Sequence, residues 1–372
     1  MIEVVIWTCL LLQMLYAFWI RGFSKVWDEK VIGFFVDENK KDLPSVSFLI
    51  PFRNEEENLK LLLDDIAAFD YPKELLQIIF VNDHSNDNSV EVINKRNLHF
   101  DFLVINSDGE GKKAALSKGI TNAKNTWIVT TDADSRWTNS ALKKLLSHPR
   151  INDVEMICGV VVLNRAGNNI LEILQQHEFA ILQSAGVASL FKHEPLLNSG
   201  ANLAFRKYSF NEVNGYENYM HIASGDDTFL MLEFAKRWND SVVSNPGSMV
   251  SSSTVSNWSD YFQQRMRWGK KVSAYKDKSI KQSGLLFLLS NIGMNVLLVL
   301  AICNLSGLLI CLFGILFRFF AEYALLNRFY AYYKKELKVH EVVIVSVLYP
   351  IVFICTLILG FITPNSWKGR KL

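Results

Sequence analysis

The chain has 372 residues, half of them hydrophobic, with a mean hydropathy of +0.13; a purely soluble domain is rarely that apolar, and the length leaves room for one large domain or two small ones plus membrane segments. A formal net charge of +2 points to no particular partner, and no second basic stripe accompanies the lysines between 270 and 281, which argues against nucleic acid. The cysteines Cys9, Cys158, Cys303, Cys311 and Cys355 form no CxxC pair, which excludes a zinc framework and gives no sign of a disulfide scaffold.

Ile2–Ile20 carries a single charge, Glu3, and Arg21, Lys25 and Lys30 follow it. A secretory signal places its positive charges ahead of the apolar run. Residues 1–21 are therefore expected to form an uncleaved anchor with a cytoplasmic C-terminal flank. Residues 22–257 read as one mixed domain. The β-rich runs Val46–Ile50, Gln77–Asn82, Phe102–Asn106 and Trp127–Thr131 alternate with helix-like stretches such as Glu55–Ala68 and Lys112–Ala123. This alternation predicts an α/β fold with a largely parallel, doubly wound sheet. Ligands of such sheets sit at the carboxyl ends of the strands.

The polar motifs fall at those ends. In Pro51-Phe52-Arg53-Asn54-Glu55-Glu56, Glu55 either meets a nucleotide or only favours a helix dipole behind an Asn54 cap. Asp83 leaves the second run at its carboxyl end, a place to meet a base or ribose, whereas Asp87 suits the cap of the next helix. Gly109-Glu110-Gly111-Lys112-Lys113 is not a GxxxxGK phosphate loop, so Lys112 is either a diphosphate contact at a helix start or a solvated charge. In Thr130-Thr131-Asp132-Ala133-Asp134, two aspartates one residue apart on an extended segment face the same way. A divalent cation, Mg2+ or Mn2+, relieves their repulsion and keeps positions open for a diphosphate. Asn198-Ser199-Gly200-Ala201-Asn202 either lines an acceptor pocket or is only a turn. Ser224-Gly225-Asp226-Asp227 opens a helix running to Trp238. Its carboxylates suit the helix dipole and also the base that an attacking hydroxyl needs.

Trp258–Tyr275 sets Trp258, Tyr261, Phe262, Arg265, Trp268, Val272 and Tyr275 at near-helical spacing, as in a helix lying in a membrane interface. Gln264 shares one face of it with Arg267 and Trp268. Lys270, Lys271, Lys276, Lys278 and Lys281 surround a lone Asp277, a juxtamembrane basic patch on the cytoplasmic side. Residues 258–282 are thus an interfacial segment and residues 283–365 the C-terminal membrane segments. Ser283–Phe317 is 35 residues without a charge. One helix of that length would run about 50 Å through a core of about 30 Å, so a hairpin turning near Asn304–Gly307 is expected. Its second arm continues past Arg318 and Glu322, which snorkel or pair near the surface. Val342–Thr363 is long enough for another span. Three crossings from the cytoplasm leave the basic tail, residues 366–372, outside, against the positive-inside tendency. Either the last run turns back at Pro350 or one segment lies along the surface.

Taken in order, PFRNEEENL, VNDHSND, TDADS, SGDD and QQRMRW resemble the membrane-bound family-2 inverting glycosyltransferases with a GT-A fold. The branch most similar contains cellulose, chitin and hyaluronan synthases and ceramide-type glucosyltransferases. The resemblance covers roughly residues 44–270, and Trp367-Lys368-Gly369-Arg370 is similar to the ends of some smaller members. It implies a catalytic domain on the cytoplasmic face of the membrane, a nucleoside-diphosphate sugar donor (a UDP-sugar first), and a lipid or lipid-linked acceptor. It also implies that Glu55, Asp83 and Asp132 bind the nucleotide sugar, with Lys112 near the diphosphate. Asp132 and Asp134 would be the DxD pair, Asp134 the direct metal ligand, and Asp227 the catalytic base. Gln264, Arg267 and Trp268 match QxxRW, placed near diphosphate and acceptor in that branch. Two residues depart from the pattern. His84 stands where the family has glycine, and Asp226 replaces a glutamate, keeping the charge with a shorter reach suited to orienting the acceptor. The rival readings are a processive polysaccharide synthase, for which the hydrophobic segments are few, a non-catalytic membrane scaffold, and a nucleotidyltransferase that would release pyrophosphate.

Overall fold

The computed structural model describes residues 2–37, 40, 42–222, 224–303, 305–363, 366–367 and 370–371. The chain forms two compact units, one of Met1–Gly33, Arg165–Ala188 and Thr254–Leu372, the other of Phe34–Asn164 and Ser189–Ser253. The first opens with helix α1 (Ile2–Val26), prolonged by a π-helical turn at Trp27–Val31. The second then runs β1 (Val46–Phe52), α2 (Glu56–Ala67), β2 (Leu76–Asn82), α3 (Ser89–Asn94), β3 (Asp101–Asn106), α4 (Lys112–Asn122), β4 (Trp127–Thr130), α5 (Ala141–Leu146) and β5 (Met156–Asn164). Helix α6 (Ile170–Phe191) follows, and its residues through Ala188 belong to the helical unit. The chain then forms β6 (Leu203–Arg206), α7 (Lys207–Glu212), α8 (Asp226–Trp238) and β7 (Val242–Ser253). It finishes in the helical unit with α9 (Trp258–Lys270), α10 (Lys278–Cys303), α11 (Leu305–Tyr332), α12 (Val339–Ile362) and a short hairpin of β8 (Ser366–Trp367) and β9 (Arg370–Lys371).

The sheet unit is narrower than a mixed domain over residues 22–257. Residues 22–33, 165–188 and 254–257 group with the apolar helices, because α6 buries Leu171, Ile173 and Leu174 against Tyr261 and Val345. Such a long-range partnership leaves no mark on local periodicity.

The seven strands follow the order β3-β2-β1-β4-β6-β5-β7. The pairs among β3, β2, β1 and β4 are parallel, as is β5 with β7. Strand β6 is antiparallel to both its neighbours. β1, β2 and β4 are buried along their whole length, which explains their unbroken apolar runs, whereas β3 at the edge is half exposed. The parallel register sets Phe52 beside Asn82 and Asn82 beside Asn106, so the loops leaving these strands share one edge. Because β6 runs the other way, Leu203 pairs with Thr130, and the turn ahead of β6 comes to that same edge.

That turn is pinned from below. Asn202 is fully buried and its amide nitrogen donates to Val160 O at 3.0 Å and Ser248 O at 3.1 Å. The amide lies across Gly159, where β5 and β7 shift register, and a β-carbon on Gly159 would overlap it. Glycine is required there by close approach rather than by backbone angle.

Among the described residues of the helical unit, four helices are long and apolar enough to cross a membrane: Glu3–Val31, Lys278–Ile302, Gly307–Tyr332 and Val339–Ile362. The expected hairpin lies between α10 and α11, with Asn304 itself outside the described residues. Arg318 and Glu322 do pair, at 2.9 Å, and both are buried within the protein. The Tyr16 hydroxyl donates to Glu322 at 2.8 Å and the Ser346 hydroxyl donates to it at 2.9 Å, so the carboxylate is satisfied from α1 and α12, as a buried charge requires. Helix α12 runs unbroken through Pro350, which it carries within the helix. Lys368 and Gly369 of the basic tail lie outside the described residues.

Gly159→Ala is expected to cost about 1–3 kcal/mol by overpacking against Asn202. Thermal unfolding of the detergent-solubilised chain measures this, and the Gly159→Ala/Asn202→Ala double variant should lose less than the sum of the two.

Candidate active site

The carboxyl edge of the sheet is assembled by side chains that tie one loop to the next. Between β1 and α2, Asn54 adopts a left-handed φ of 50°. Its backbone nitrogen donates to Ser85 Oγ and its side-chain oxygen accepts from Asn86 N. Asn54 is thus not the cap of α2; residue 55 holds that position and makes no side-chain cap bond. Instead the Glu56 nitrogen donates to Asp87 Oδ2 at 3.1 Å and the Glu55 nitrogen to Ser89 Oγ at 2.9 Å. Asp87 also accepts from Ser89 N, so one carboxylate serves the starts of both α2 and α3. The Glu55 side chain accepts from Asn58 at 2.6 Å.

Asp83 follows the end of β2 with a side chain almost wholly buried. Its Oδ1 accepts from Gly111 N at 3.0 Å and faces His84 Nδ1 at 3.3 Å, while its carbonyl accepts from Arg53. Gly111, at φ 94°, stands at the N-cap of α4, a conformation natural to glycine. His84 has φ 59°. A glycine would take this left-handed geometry freely, and histidine is among the few side chains that tolerate it.

Lys112 begins α4 but is not a solvated charge. Its ammonium lies 2.6 Å from Asp132 and 2.9 Å from Asp226. Burial works against this charge, and the two carboxylates nevertheless hold it well above the ordinary lysine range. Asp226 is likewise kept below the usual carboxylate range by Lys112, against the effect of its own burial. Gly200 leaves the space: a β-carbon there would come within 3.1 Å of Asp226 Oδ2 and 3.2 Å of the Lys112 ammonium. The Gly200 nitrogen donates to Asp227 Oδ2 at 3.2 Å and its carbonyl accepts from Thr130 at 2.7 Å. The 198–202 segment therefore reaches this cluster, where the Gly200 N–H holds one carboxylate oxygen of Asp227.

Asp132 and Asp134 lie beyond β4, in a turn closed by Ser135 N donating to Asp132 O. Their proximity comes from the turn and not from the two-residue period of a strand. Asp134 accepts from Ser252 at 3.2 Å. Asp134 is exposed to solvent, yet crowding by protein and then the charges of Asp132 and Glu55 push its pKa up to about 6. Added positive charge is electrostatically favoured at such a place. Among the described residues no group of three or more His, Cys, Asp or Glu side chains forms a ready metal cage.

Lys113, next to Lys112, escaped the sequence reading. It is buried and donates to Tyr219 O, Ile222 O and Ser224 O, fixing the loop that presents Asp226 and Asp227. Its only signal was a second lysine in an otherwise apolar helix start. Gln264, Arg267 and Trp268 belong to the helical unit, on α9. There Tyr261, Arg265 and Met266 are buried while the three motif residues are half-exposed, so they share a face as their spacing predicts.

The family profile Glycosyl transferase family 2 matches residues 47–213, which include β1 to β6 and the DxD turn. Over 244 residues the chain is 28% identical to the probable glycosyltransferase YdaM of Bacillus subtilis, covering 63% of this chain and 56% of that protein. Over 180 residues it is 28% identical to the poly-beta-1,6-N-acetyl-D-glucosamine synthase of Staphylococcus aureus, covering 44% of this chain and 43% of that one. The chain thus spans about half the length of the curated relatives it matches. The solved structure of the mannosyltransferase PcManGT from Pyrobaculum calidifontis, in complex with GDP-Man and Mn2+, superposes with a TM-score of 0.67. The superposition covers 97% of this chain and 99% of that one at 16% identity, a likeness of fold. Residues 47–213 thus resemble family-2 glycosyltransferases, and the chain shares the fold of the Pyrobaculum calidifontis mannosyltransferase.

Proposed function

We propose that the protein is an inverting, divalent-metal-dependent transferase that moves a sugar from a nucleoside-diphosphate donor, a UDP-sugar first, to a lipid or lipid-linked acceptor at the cytoplasmic face of a membrane. The observation that carries this reading is the convergence of Lys112, Asp132 and Asp226, with Asp227 held by the Gly200 N–H, at one edge of the sheet. Single displacement needs a hydroxyl to attack the anomeric carbon as the bond to the diphosphate oxygen breaks. Asp227 takes the hydroxyl proton, and the Gly200 N–H keeps its second oxygen from turning away. Asp226 orients the acceptor, and Lys112 offsets negative charge on the diphosphate. Glu55, Asp83 and Asp132 bind the nucleotide sugar, while Gln264, Arg267 and Trp268 serve the diphosphate and acceptor.

Asp132 and Asp134 are the residues that would hold Mg2+ or Mn2+, which when bound supplies charge neutralisation for the departing nucleoside diphosphate. The shift of Asp134 caused by its carboxylate neighbours fits that donor set, and the Mn2+ and GDP-Man bound by the Pyrobaculum calidifontis protein are consistent with it. Membrane embedding is supported by the four long apolar helices, and the lysines from Lys270 to Lys281 favour the cytoplasmic side for the sheet unit. A second reading, a processive polysaccharide synthase, is favoured by the likeness to the Staphylococcus aureus poly-beta-1,6-N-acetyl-D-glucosamine synthase.

Purified protein given UDP-N-acetylglucosamine, UDP-glucose or GDP-mannose with extracted membrane lipids should release nucleoside diphosphate. Mass spectrometry of the lipid phase should find one added sugar; a ladder of sugar masses would instead establish the processive reading. Asp227→Asn is expected to slow that release by about 10²–10⁴-fold while nucleotide binding, followed calorimetrically, stays within about threefold; normal turnover would refute the base assignment. Chelation by EDTA should stop release and Mn2+ or Mg2+ restore it. Asp134→Ala should raise the metal concentration for half-maximal rate by at least about tenfold.

A further inference from the structure

Glu178 lies on α6, outside the motifs read from the sequence, and is buried. Its Oε2 accepts from Arg265 Nε at 2.8 Å, with Nη2 at 2.7 Å, and from the Tyr261 hydroxyl at 3.2 Å. Its Oε1 accepts from the Tyr349 hydroxyl on α12 at 3.2 Å. Arg265 is equally buried, and its guanidinium lies over two rings, 4.6 Å from the centre of Tyr261 and 4.2 Å from that of Trp268. Its Nη1 donates to Gln264. The Trp268 ring also meets Phe179, the residue after Glu178, at 6.2 Å.

One guanidinium thus touches both Gln264 and Trp268, and Glu178 sets the plane in which it lies. A half-exposed tryptophan or glutamine on a lone helix would sample several rotamers. A flat cation stacked on the indole and bonded to the amide selects one for each. Arginine without a carboxylate could not stay buried there. From this geometry we infer that Glu178 is a positioning residue for sugar transfer, acting through Arg265 to hold Gln264 and Trp268 in their working orientation; the inference rests on the role proposed above for QxxRW.

A purely structural pair would tie α6 to α9 and do no more. The Glu178→Met/Arg265→Met double variant separates the two roles, because it removes both charges together and leaves no unpaired ion in the interior. In the full-length detergent-solubilised chain, with the donor and lipid acceptor found in the assay above, it should melt close to the unmodified protein. Its kcat should nonetheless fall at least about tenfold, with donor KM within about threefold. Arg265→Lys keeps the charge and loses the flat stack; it should show an intermediate loss of kcat, and Glu178→Asp should recover part of the rate. Trp268→Ala reports on the motif itself. If Trp268→Ala is impaired while the double variant and Arg265→Lys both turn over normally, the positioning role is overturned and the motif assignment stands. If Trp268→Ala also turns over normally, the motif assignment fails and takes the inference with it. Should the double variant not fold, Arg265→Lys decides, and an unchanged kcat there overturns the inference.

Discussion

The carboxyl edge of the sheet gathers Glu55, Asp132, Asp134, Asp226 and Asp227 from separate stretches of chain, and like charges do not converge unaided. The ammonium of Lys112, shared between Asp132 and Asp226, is the counter-charge that lets the DxD turn and the start of α8 approach each other. Much of the local structure serves that contact. Gly200 is small where the triad needs room, Lys113 holds the loop from Tyr219 to Ser224 by its carbonyls, and Asp83 fixes the N-cap of α4 through Gly111. Lys112 compensates two of these carboxylates and leaves Asp134 under the influence of Asp132 and Glu55. Added positive charge beside Asp134 is electrostatically favoured by that arrangement.

The strands at the heart of the sheet were legible because burial on both faces demands continuous apolar runs, and Val46–Phe52, Leu76–Asn82 and Trp127–Thr130 are such runs. The acidic motifs around Glu55, Asp83 and Asp132 were legible for a related reason: each follows a parallel strand and must fall at the carboxyl edge, whereas Asp226 and Asp227 open α8 and reach that edge through the loop ahead of it. Contacts made between distant segments were not. Asn54 looked like a cap, and its side chain instead reaches the loop after β2, where Asp87 does the capping. Asp132 and Asp134 looked like neighbours on one strand face and are brought together by a turn. Asn202 could not be told from an ordinary turn residue until Gly159 was seen beneath it. Glu178 sits in an unremarkable helix, and only its partners on α9 and α12 give it meaning.

The helical unit handles buried charge in one consistent manner. Arg318 is paired with Glu322 and lies 4.6 Å from the Tyr16 ring centre, as Arg265 is paired with Glu178 and lies over Tyr261 and Trp268. In each case a carboxylate with hydroxyl donors and an aromatic face replaces the water that a guanidinium gives up. Tyr349 touches both clusters, its hydroxyl on Glu178 and its ring 5.9 Å from Arg318. Helix α12 is thereby joined by polar contacts to α6, the helix that braces α9.

The route of the chain between β5 and β6 has a practical bearing on how the protein can be taken apart. The chain leaves the sheet unit at Asn164, contributes α6 to the helical unit, and returns at Ser189. No pair of terminal cuts therefore releases the sheet unit alone. A fragment from Phe34 to Ser253 would carry α6 with Leu171 and Leu174 stripped of Tyr261 and Val345 and with Glu178 deprived of Arg265. Such a fragment invites self-association through its orphaned helix. An excised sheet unit that keeps its shape calls for an internal splice, a flexible link from Asn164 to Ser189 in place of the helix lent to the other unit.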